Sequence, residues 1–481
     1  MAKSTPVSHV LALDLGSTNL KAALFHAARG CVAEASVPVT YARNDSVEGD
    51  SRVELDGERI WQATVALIRE TCARAEVAPA AIDRIAIASQ AQTFALLDGD
   101  GAPLTPFVSW LDTRGAPYGG EIAAALGAAF HAHCSFSSGM AEMQLAKVLW
   151  FRREAPRKLD SAASVALLPA YIIRRLTGLF VTDPNLAGMS GLYSLRDRAW
   201  WSAALALCDI GAEQLPAVAP LGRPLRAQAR CAELPLREDV EIVLAGNDQT
   251  AGAFGNGCSK DDLVATLGTA LVAYRFAGME PGPFSDLGCW GPYPGGGFYE
   301  LGVRNHGCLA LDWAREKVLP GHAVEAFMAS AEEAAAARTA PTCVEAGCFY
   351  PERMATAEAW IGPEEPARRA LAVLEGIGFS LRQLITRDLE VKTRPVLVTA
   401  IGGGSRSPFW LQRLADILGC PVRRGLGDAR TGAAMLAITD VPSFVPPALP
   451  GTAAESQRTY RPTPSAVAHY EALYESWCAQ K

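Results

Sequence analysis

Five stretches of the sequence carry residue types and spacings able to do chemistry. Gly246-Asn247-Asp248-Gln249 follows an apolar, strand-like run at 240–245 and precedes small residues that read as a helix. A carboxylate at a strand–helix junction lies among backbone N–H groups, where α/β sheets hold ligands. Taken alone, Asp248 reads as a helix N-cap. Near the N-terminus, two strand-like runs flank Gly16-Ser17-Thr18-Asn19, with Asp14 just before the turn. This is a capped hairpin, or a phosphate-binding turn whose N–H groups face anionic oxygens while Asp14 faces a metal. Leu267-Gly268-Thr269 repeats that logic between two further apolar runs. Gly402-Gly403-Gly404-Ser405-Arg406-Ser407 lies between a buried strand and a helix, where bare backbone can approach a flat or anionic ligand. Trp110, Asp112 and Arg114 alternate after another strand, as a polar-ligand pocket or as an ordinary loop ion pair.

These stretches need a scaffold of strands and helices. Apolar periodicity predicts strands at 10–15, 20–25, 31–39 and 82–89, the last running into Ser89-Gln90-Ala91-Gln92-Thr93. Residues 58–75 have helical spacing, and the polar, Gly-containing 40–57 reads as a loop. Helices are expected at 143–154, with Lys147 solvated, and at 169–176, 309–317, 323–338, 367–388, 409–418, 431–437 and 466–478. Residues 182–185 and 188–191 read as loops, and the Pro-rich 441–464 as irregular. One Gly-hydroxyl hairpin near the start of each half predicts two related halves facing each other across a cleft.

Composition bounds the rest. At 481 residues the chain is too long for one core, and two large domains are expected. The net charge of −7 argues against nucleic acid or an anionic membrane as partner. The twelve cysteines include one close pair, Cys343 and Cys348, without the second pair or histidine cluster of a zinc site. They read as thiols in a reducing cytoplasm. The polar N-terminus is unlike a signal peptide, and no apolar run is long enough to span a membrane.

Taken in order, the segments resemble the FGGY carbohydrate kinases, the family of glycerol kinase and xylulokinase, over roughly residues 8–440. Leu13-Asp14-Leu15-Gly16-Ser17-Thr18 is similar to the first phosphate motif of that family, and 110–114 to its Trp-x-Asp-x-Arg segment. Residues 146–150 are similar to the segment before the middle of domain one. Residues 246–249 resemble the catalytic Asp motif, 267–269 the second phosphate motif, and 402–407 the adenosine-side motif. The resemblance implies an α/β fold of two actin-like (ribonuclease H-like) ATPase domains, each a mixed five-stranded sheet, around a central cleft. Their expected extents are 8–245 and 246–481.

It also implies ATP-dependent phosphorylation of a sugar or polyol hydroxyl, with ATP and Mg²⁺ as cofactors and a small sugar as partner. Asp248 would be the general base and Asp14 the Mg²⁺ ligand. Gly16, Ser17, Thr18, Gly268 and Thr269 would cradle the phosphates. Gly403, Gly404 and Ser407 would lie at the adenosine. Gln90, Gln92, Trp110, Asp112, Asp248 and Gln249 would line the sugar site. Ala91-Gln92 replaces the Arg-Glu of glycerol kinases and the Met-His of xylulokinases. Glycerol is therefore disfavoured. The spacing and the Asp-x-Gly-Ser-Thr and Trp-x-Asp forms resemble those of the ketopentose-using, xylulokinase-like branch, which places D-xylulose first, with ribulose, fuculose or another ketose, or a polyol such as erythritol, behind it. The rivals from other classes are an actin/chaperone-type ATPase and a silent sugar-binding regulator. A homodimer is the expected assembly.

Overall fold

The computed structural model describes residues 7–45, 51–136, 138–304, 307–337, 343–344, 360–362, 364–440, 446–447, 449–450 and 458–479. Cys348 and most of the Pro-rich 441–464 therefore lie outside the described residues.

The first large sheet contains β1 (His9–Leu15), β2 (Asn19–His26), β3 (Gly30–Pro38), β4 (Arg84–Ser89), β5 (Pro224–Arg226) and β6 (Glu241–Asn247), in the order β5-β6-β4-β1-β2-β3. The strands β1, β2 and β3 form an antiparallel meander, and β1, β4 and β6 run parallel. The second sheet contains β7 (Asp262–Leu267), β8 (Leu271–Gly278), β9 (Cys289–Pro292), β10 (Phe298–Arg304), β11 (Leu397–Ile401), β12 (Val422–Arg424) and β13 (Thr459–Tyr460). Its order is β9-β10-β8-β7-β11-β12-β13. Again an antiparallel meander, β7-β8-β10, is joined to a parallel set, β7-β11-β12. The expected repetition between halves is present as topology. The sheets have six and seven strands, because each five-strand unit gains edge strands.

Burial on both faces explains the nearly continuous apolar runs of the parallel strands. Leu11, Leu13 and Leu15 pack under α1 (Gly57–Ala75), and Val10 and Ala12 face the other way. That second face is made of small residues: Ala12, Ala23, Ala86, Ala88 and Ala245. Against it lie α2 (Asp248–Gly255) and α3 (Ala429–Ala437), whose Ala251, Ala253, Ala433 and Ala434 belong to the same core. A helix from the second half thus packs on the sheet of the first. Arg84 reinforces this contact. Its guanidinium donates to the carbonyls of Ala437, the last residue of α3, and of Thr439 just beyond it, and pairs with Glu241 and Asp440.

Two expectations need correction. Within 40–57, Ala42–Asp45 and Ser51–Leu55 are strands of a separate five-stranded sheet, satisfied by cross-strand bonds that a polar sequence does not advertise. Residues 184–189 form a short helix capped by Asp183 rather than a loop. The last strand of the first sheet, β6, runs to Asn247, and the second sheet begins after α2. Among the described residues no helix is long and apolar enough to cross a membrane.

Candidate active site

The parallel strands β1, β4 and β6 end side by side, with Leu15 opposite Ser89 and Ser89 opposite Asn247. Their C-terminal ends therefore bring together the Gly16 turn, Gln90-Ala91-Gln92 and Asp248, at the edge where open α/β sheets bind ligands. In the second sheet, β7 and β11 end together, with Thr266 opposite Ile401, and so join the Gly268 turn to the glycine cluster.

At the first turn a Cβ on Gly16 would lie 2.9 Å from the Asn19 carbonyl and 3.3 Å from Asp14 Oδ1. Asp14 is buried. Its Oδ2 accepts from Lys21 Nζ at 3.2 Å, and its Oδ1 has no partner among the described residues. Burial raises its carboxyl above the usual range, Asp428 adds to the rise, and Lys21 opposes it.

Asp248 is set by its strand. A register shift between Leu244 and Asn247, with Gly246 at φ +75°, turns the chain into α2. The N-cap is Asn247, whose Oδ1 accepts from Thr250 N at 2.8 Å, and not Asp248, which is the first helical residue. Asp248 is thereby released from capping. Its Oδ1 accepts the adjacent Gln249 N–H at 2.9 Å. Burial first, then the neighbouring Asp14 carboxylate, pushes its pKa up to about 7. Asn185 fixes this junction. Its Oδ1 accepts from Asn247 N at 2.9 Å and Nδ2 at 2.8 Å, and its Nδ2 donates to Thr250 Oγ1 and to the Pro292 carbonyl at the end of β9. Reading 182–185 as a loop missed it, and only the Asp-Pro-Asn helix start signals it in the sequence.

In the second half, a Cβ on Gly402 would lie 2.7 Å from the Leu267 carbonyl, and one on Gly404 2.4 Å from the Trp410 ring. The glycine cluster therefore lies directly on the second turn. Gly403 has open space where its Cβ would be. Ser407 caps the following helix, accepting from Trp410 N at 3.2 Å. Thr269 is exposed at the turn, as Thr18 is at the first, and the Gly268 and Thr269 carbonyls are held by the N–H groups of Cys308 and Gly307. Gln249 reaches across: its Oε1 accepts from Thr266 Oγ1 at 2.7 Å.

The remaining sugar-side residues separate into free and engaged groups. Gln92 is buried at φ +66°, an uncommon backbone state for a residue with a side chain, and its Oε1 has no partner among the described residues. Trp110 is half-buried. Asp112 is fully buried and engaged at both oxygens, accepting from Val53 N and from the Arg114 backbone and guanidinium. It braces the loop and does not present a free oxygen, because the adjacent strand at Ser51–Leu55 supplies a donor that the sequence did not reveal. Gln90 is likewise bonded at both ends of its amide.

Lys147 is buried, not solvated, and donates to the Ser109 carbonyl at 2.6 Å. Burial lowers its pKa to about 7, against the pull of Asp112 and Glu142. A lysine whose folded pKa lies below its unfolded value costs stability most at or below the folded pKa, and this cost fades as pH rises toward the unfolded value. Lys147→Met is therefore expected to melt above the parent at pH 6.5, with the gap shrinking by pH 9.5. Thermal melts across that range check it.

Among the described residues no group of three or more His, Cys, Asp or Glu could hold a metal by itself. Asp14 and Asp248 still fit a hard cation. Both carboxylates are desolvated, Asp14 raises the proton affinity of Asp248, and Asp14 Oδ1 lacks a partner among the described residues. A cation arriving with a polyphosphate would bring further oxygen ligands.

The model of the FGGY family of carbohydrate kinases, N-terminal domain, matches residues 9–255, and that of the C-terminal domain matches 263–441. The xylulose kinase of Escherichia coli (strain K12) is 27% identical over 444 residues, 88% of this chain and 86% of that protein. The L-fuculokinase of the same strain is 26% identical over 459 residues, 91% of this chain and 93% of that protein. The solved structure of a ligand-bound xylulose kinase from Lactobacillus acidophilus matches with a TM-score of 0.83 at 21% identity, covering 98% of this chain and 97% of that one. That likeness establishes the two-domain actin-like fold.

Proposed function

The chain belongs to the FGGY family of carbohydrate kinases, and we propose that it transfers the γ-phosphoryl group of ATP to a terminal hydroxyl of a ketose, D-xylulose before the others. FGGY kinases use ATP. The observation that carries the reading is the pair of desolvated carboxylates, Asp14 and Asp248, at the ends of parallel strands, with Gln249 reaching from beside Asp248 to the strand of the second turn.

Phosphoryl transfer requires an aligned hydroxyl, neutralised phosphate charge and exclusion of water. Asp248, freed from capping, accepts the acceptor's hydroxyl proton and orients its oxygen. Asp14 Oδ1 would hold Mg²⁺, which would supply neutralisation of the phosphate charge. The N–H groups of the Gly16–Thr18 and Gly268–Thr269 turns face the phosphates. Gly403, with open space before it, leaves room for the adenosine, with Gly404 and Ser407 shaping the backbone behind. Gln92, whose amide oxygen has no partner among the described residues, and Trp110 contact the sugar. Asp112 and Gln90 support that contact from behind. The seam between sugar and nucleotide halves lies after α2 in this reading.

The preference for D-xylulose is supported by the ketopentose-type segments and the xylulose kinase relative, whereas the similar L-fuculokinase keeps other ketoses open. A coupled ADP-release screen over ketopentoses, ketohexoses, polyols and glycerol with Mg²⁺ tests it. Release that depends on the acceptor and is fastest with D-xylulose is expected. Equal release without any acceptor would mark an ATPase, and a faster acceptor would replace D-xylulose.

A further inference from the structure

We propose that Gln90, Thr93 and Tyr41 are positioning residues that aim the phosphate-facing N–H groups of the first turn and tie them to the Trp110 loop, so that the acceptor and nucleotide sites are set by one buried hydrogen-bond chain. This rests on the phosphotransfer reading of the same cleft. Gln90 follows β4 and is only 4% exposed, and Thr93 is fully buried. Gln90 holds the turn twice: its backbone N–H donates to the Leu15 carbonyl at 3.0 Å and its Nε2 to the Gly16 carbonyl at 3.1 Å. Tyr41 Oη donates to the next carbonyl, that of Ser17, at 2.7 Å.

A trans peptide is planar, with its C=O and N–H pointing in opposite directions. Fixing the Gly16 carbonyl therefore fixes the Ser17 N–H, and fixing the Ser17 carbonyl fixes the Thr18 N–H. Side chains on the buried side thus aim two donors at the opposite side, the side of the cleft. The other end of the Gln90 amide is equally committed. Its Oε1 accepts from Thr93 Oγ1 at 2.8 Å, and Thr93 Oγ1 accepts from Trp110 N at 3.1 Å. The direction of the chain is fixed, because flipping the amide would set carbonyl against carbonyl at Gly16. Lys147 pins the Ser109 carbonyl, which shares its peptide with the Trp110 N–H. Trp110 N–H to Thr93 to Gln90 to Gly16 is an unbroken buried path from the acceptor loop to the phosphate turn.

The test uses the full chain, with Gln90→Met, Gln90→Glu, Thr93→Val and Thr93→Ser. Gln90→Met keeps the volume and removes both bonds. Gln90→Glu keeps the acceptor for Thr93 and sets a carboxylate oxygen against the Gly16 carbonyl. Two quantities are measured: affinity for the β,γ-imido analogue of ATP with Mg²⁺, with and without D-xylulose, and kcat and KM for each substrate. Loss of one aimed donor to a charged phosphate is expected to weaken analogue binding and lower kcat by about tenfold or more in both Gln90 variants. Any gain in analogue affinity that D-xylulose produces in the parent should vanish in them. Thr93→Val should share that loss of coupling, and Thr93→Ser, which keeps the hydroxyl, should retain it. Unchanged analogue affinity and kcat, within twofold, in the folded Gln90 variants would overturn the proposal. So would a change confined to the KM of the sugar, which would make Gln90 a sugar contact. If the parent phosphorylates no acceptor, the phosphotransfer reading falls, and the aiming of the turn is decided by analogue affinity alone.

Discussion

Asp248→Ala is expected to abolish phosphosugar formation while largely sparing nucleotide binding. A positioned general base contributes roughly 10²- to 10⁴-fold, so the loss should reach that range in kcat with little change in analogue affinity. Its pH dependence follows from the site. With a pKa of about 7, set by burial and by Asp14, the ionised base is the minor form below neutrality. The parent's kcat/KM should therefore rise with pH and level off above about 7. Cations held at Asp14 would move that limb to lower pH by offsetting the second cause. Asp248→Asn should lose the limb along with turnover. It should also change stability in the opposite direction to activity. A carboxyl whose folded pKa exceeds its unfolded value makes the folded state the better proton binder, so stability falls as pH rises from the unfolded to the folded pKa. The neutral amide avoids this penalty, and Asp248→Asn is expected to melt above the ligand-free parent at pH 8 and to match it near pH 4. Retained turnover in the alanine variant would sink the assignment of the base. Equal melting of parent and asparagine variant at pH 8 would sink the account of its raised pKa.

What was legible in the sequence divides along a physical line. Apolar runs ending in glycine turns are local patterns, so the strands leading to Gly16, Asp248, Gly268 and Gly402 could be read directly. The repeated hairpin pointed correctly to two halves of like topology. Commitments between distant residues could not be read. Asp112 and Gln90 have the residue types of sugar ligands, but Val53 and Gly16, far away in sequence, claim their polar atoms. Lys147 has the composition of a surface residue and is buried because Ser109 offers it a carbonyl. Asn185 works through Asn247, which follows it by 62 positions. The helix cap shows the same limit at short range. Asn247 and Asp248 are both good N-cap residues, and the bulge at Gly246 decides between them.

The bulge sets where α2 begins, and the crossing of α2 with α3 sets where it lies, which makes Gly432→Ala the most damaging small substitution expected outside the site. A Cβ on Gly432 would lie 1.8 Å from the Ala251 carbonyl oxygen, 2.7 Å from its carbon and 3.0 Å from Gly255 N. All three obstacles are backbone, so no side chain can rotate aside and the helices must separate. Overpacking a well-packed core costs about 1–3 kcal/mol, occasionally more, and a rigid obstacle places this case at the top of that range. The gain from replacing a helical glycine, about 1 kcal/mol, does not offset it. The displacement is also functional, because α2 carries Asp248 at its first position and shares a core with β1, the strand that carries Asp14. Gly252→Ala, on α2 itself, is the matched control. Its Cβ would meet only Ile401 Cδ1 at 3.4 Å and Ala429 N at 3.9 Å, ordinary contacts. It should melt at or above the parent and keep kcat within about twofold, since it gains helix propensity without a clash. Gly432→Ala should melt well below both and transfer phosphate poorly even at temperatures where it stays folded. Melting curves and kcat on the two variants decide the matter. If Gly432→Ala is as stable and active as Gly252→Ala, the two halves are not held together by backbone contact at this crossing.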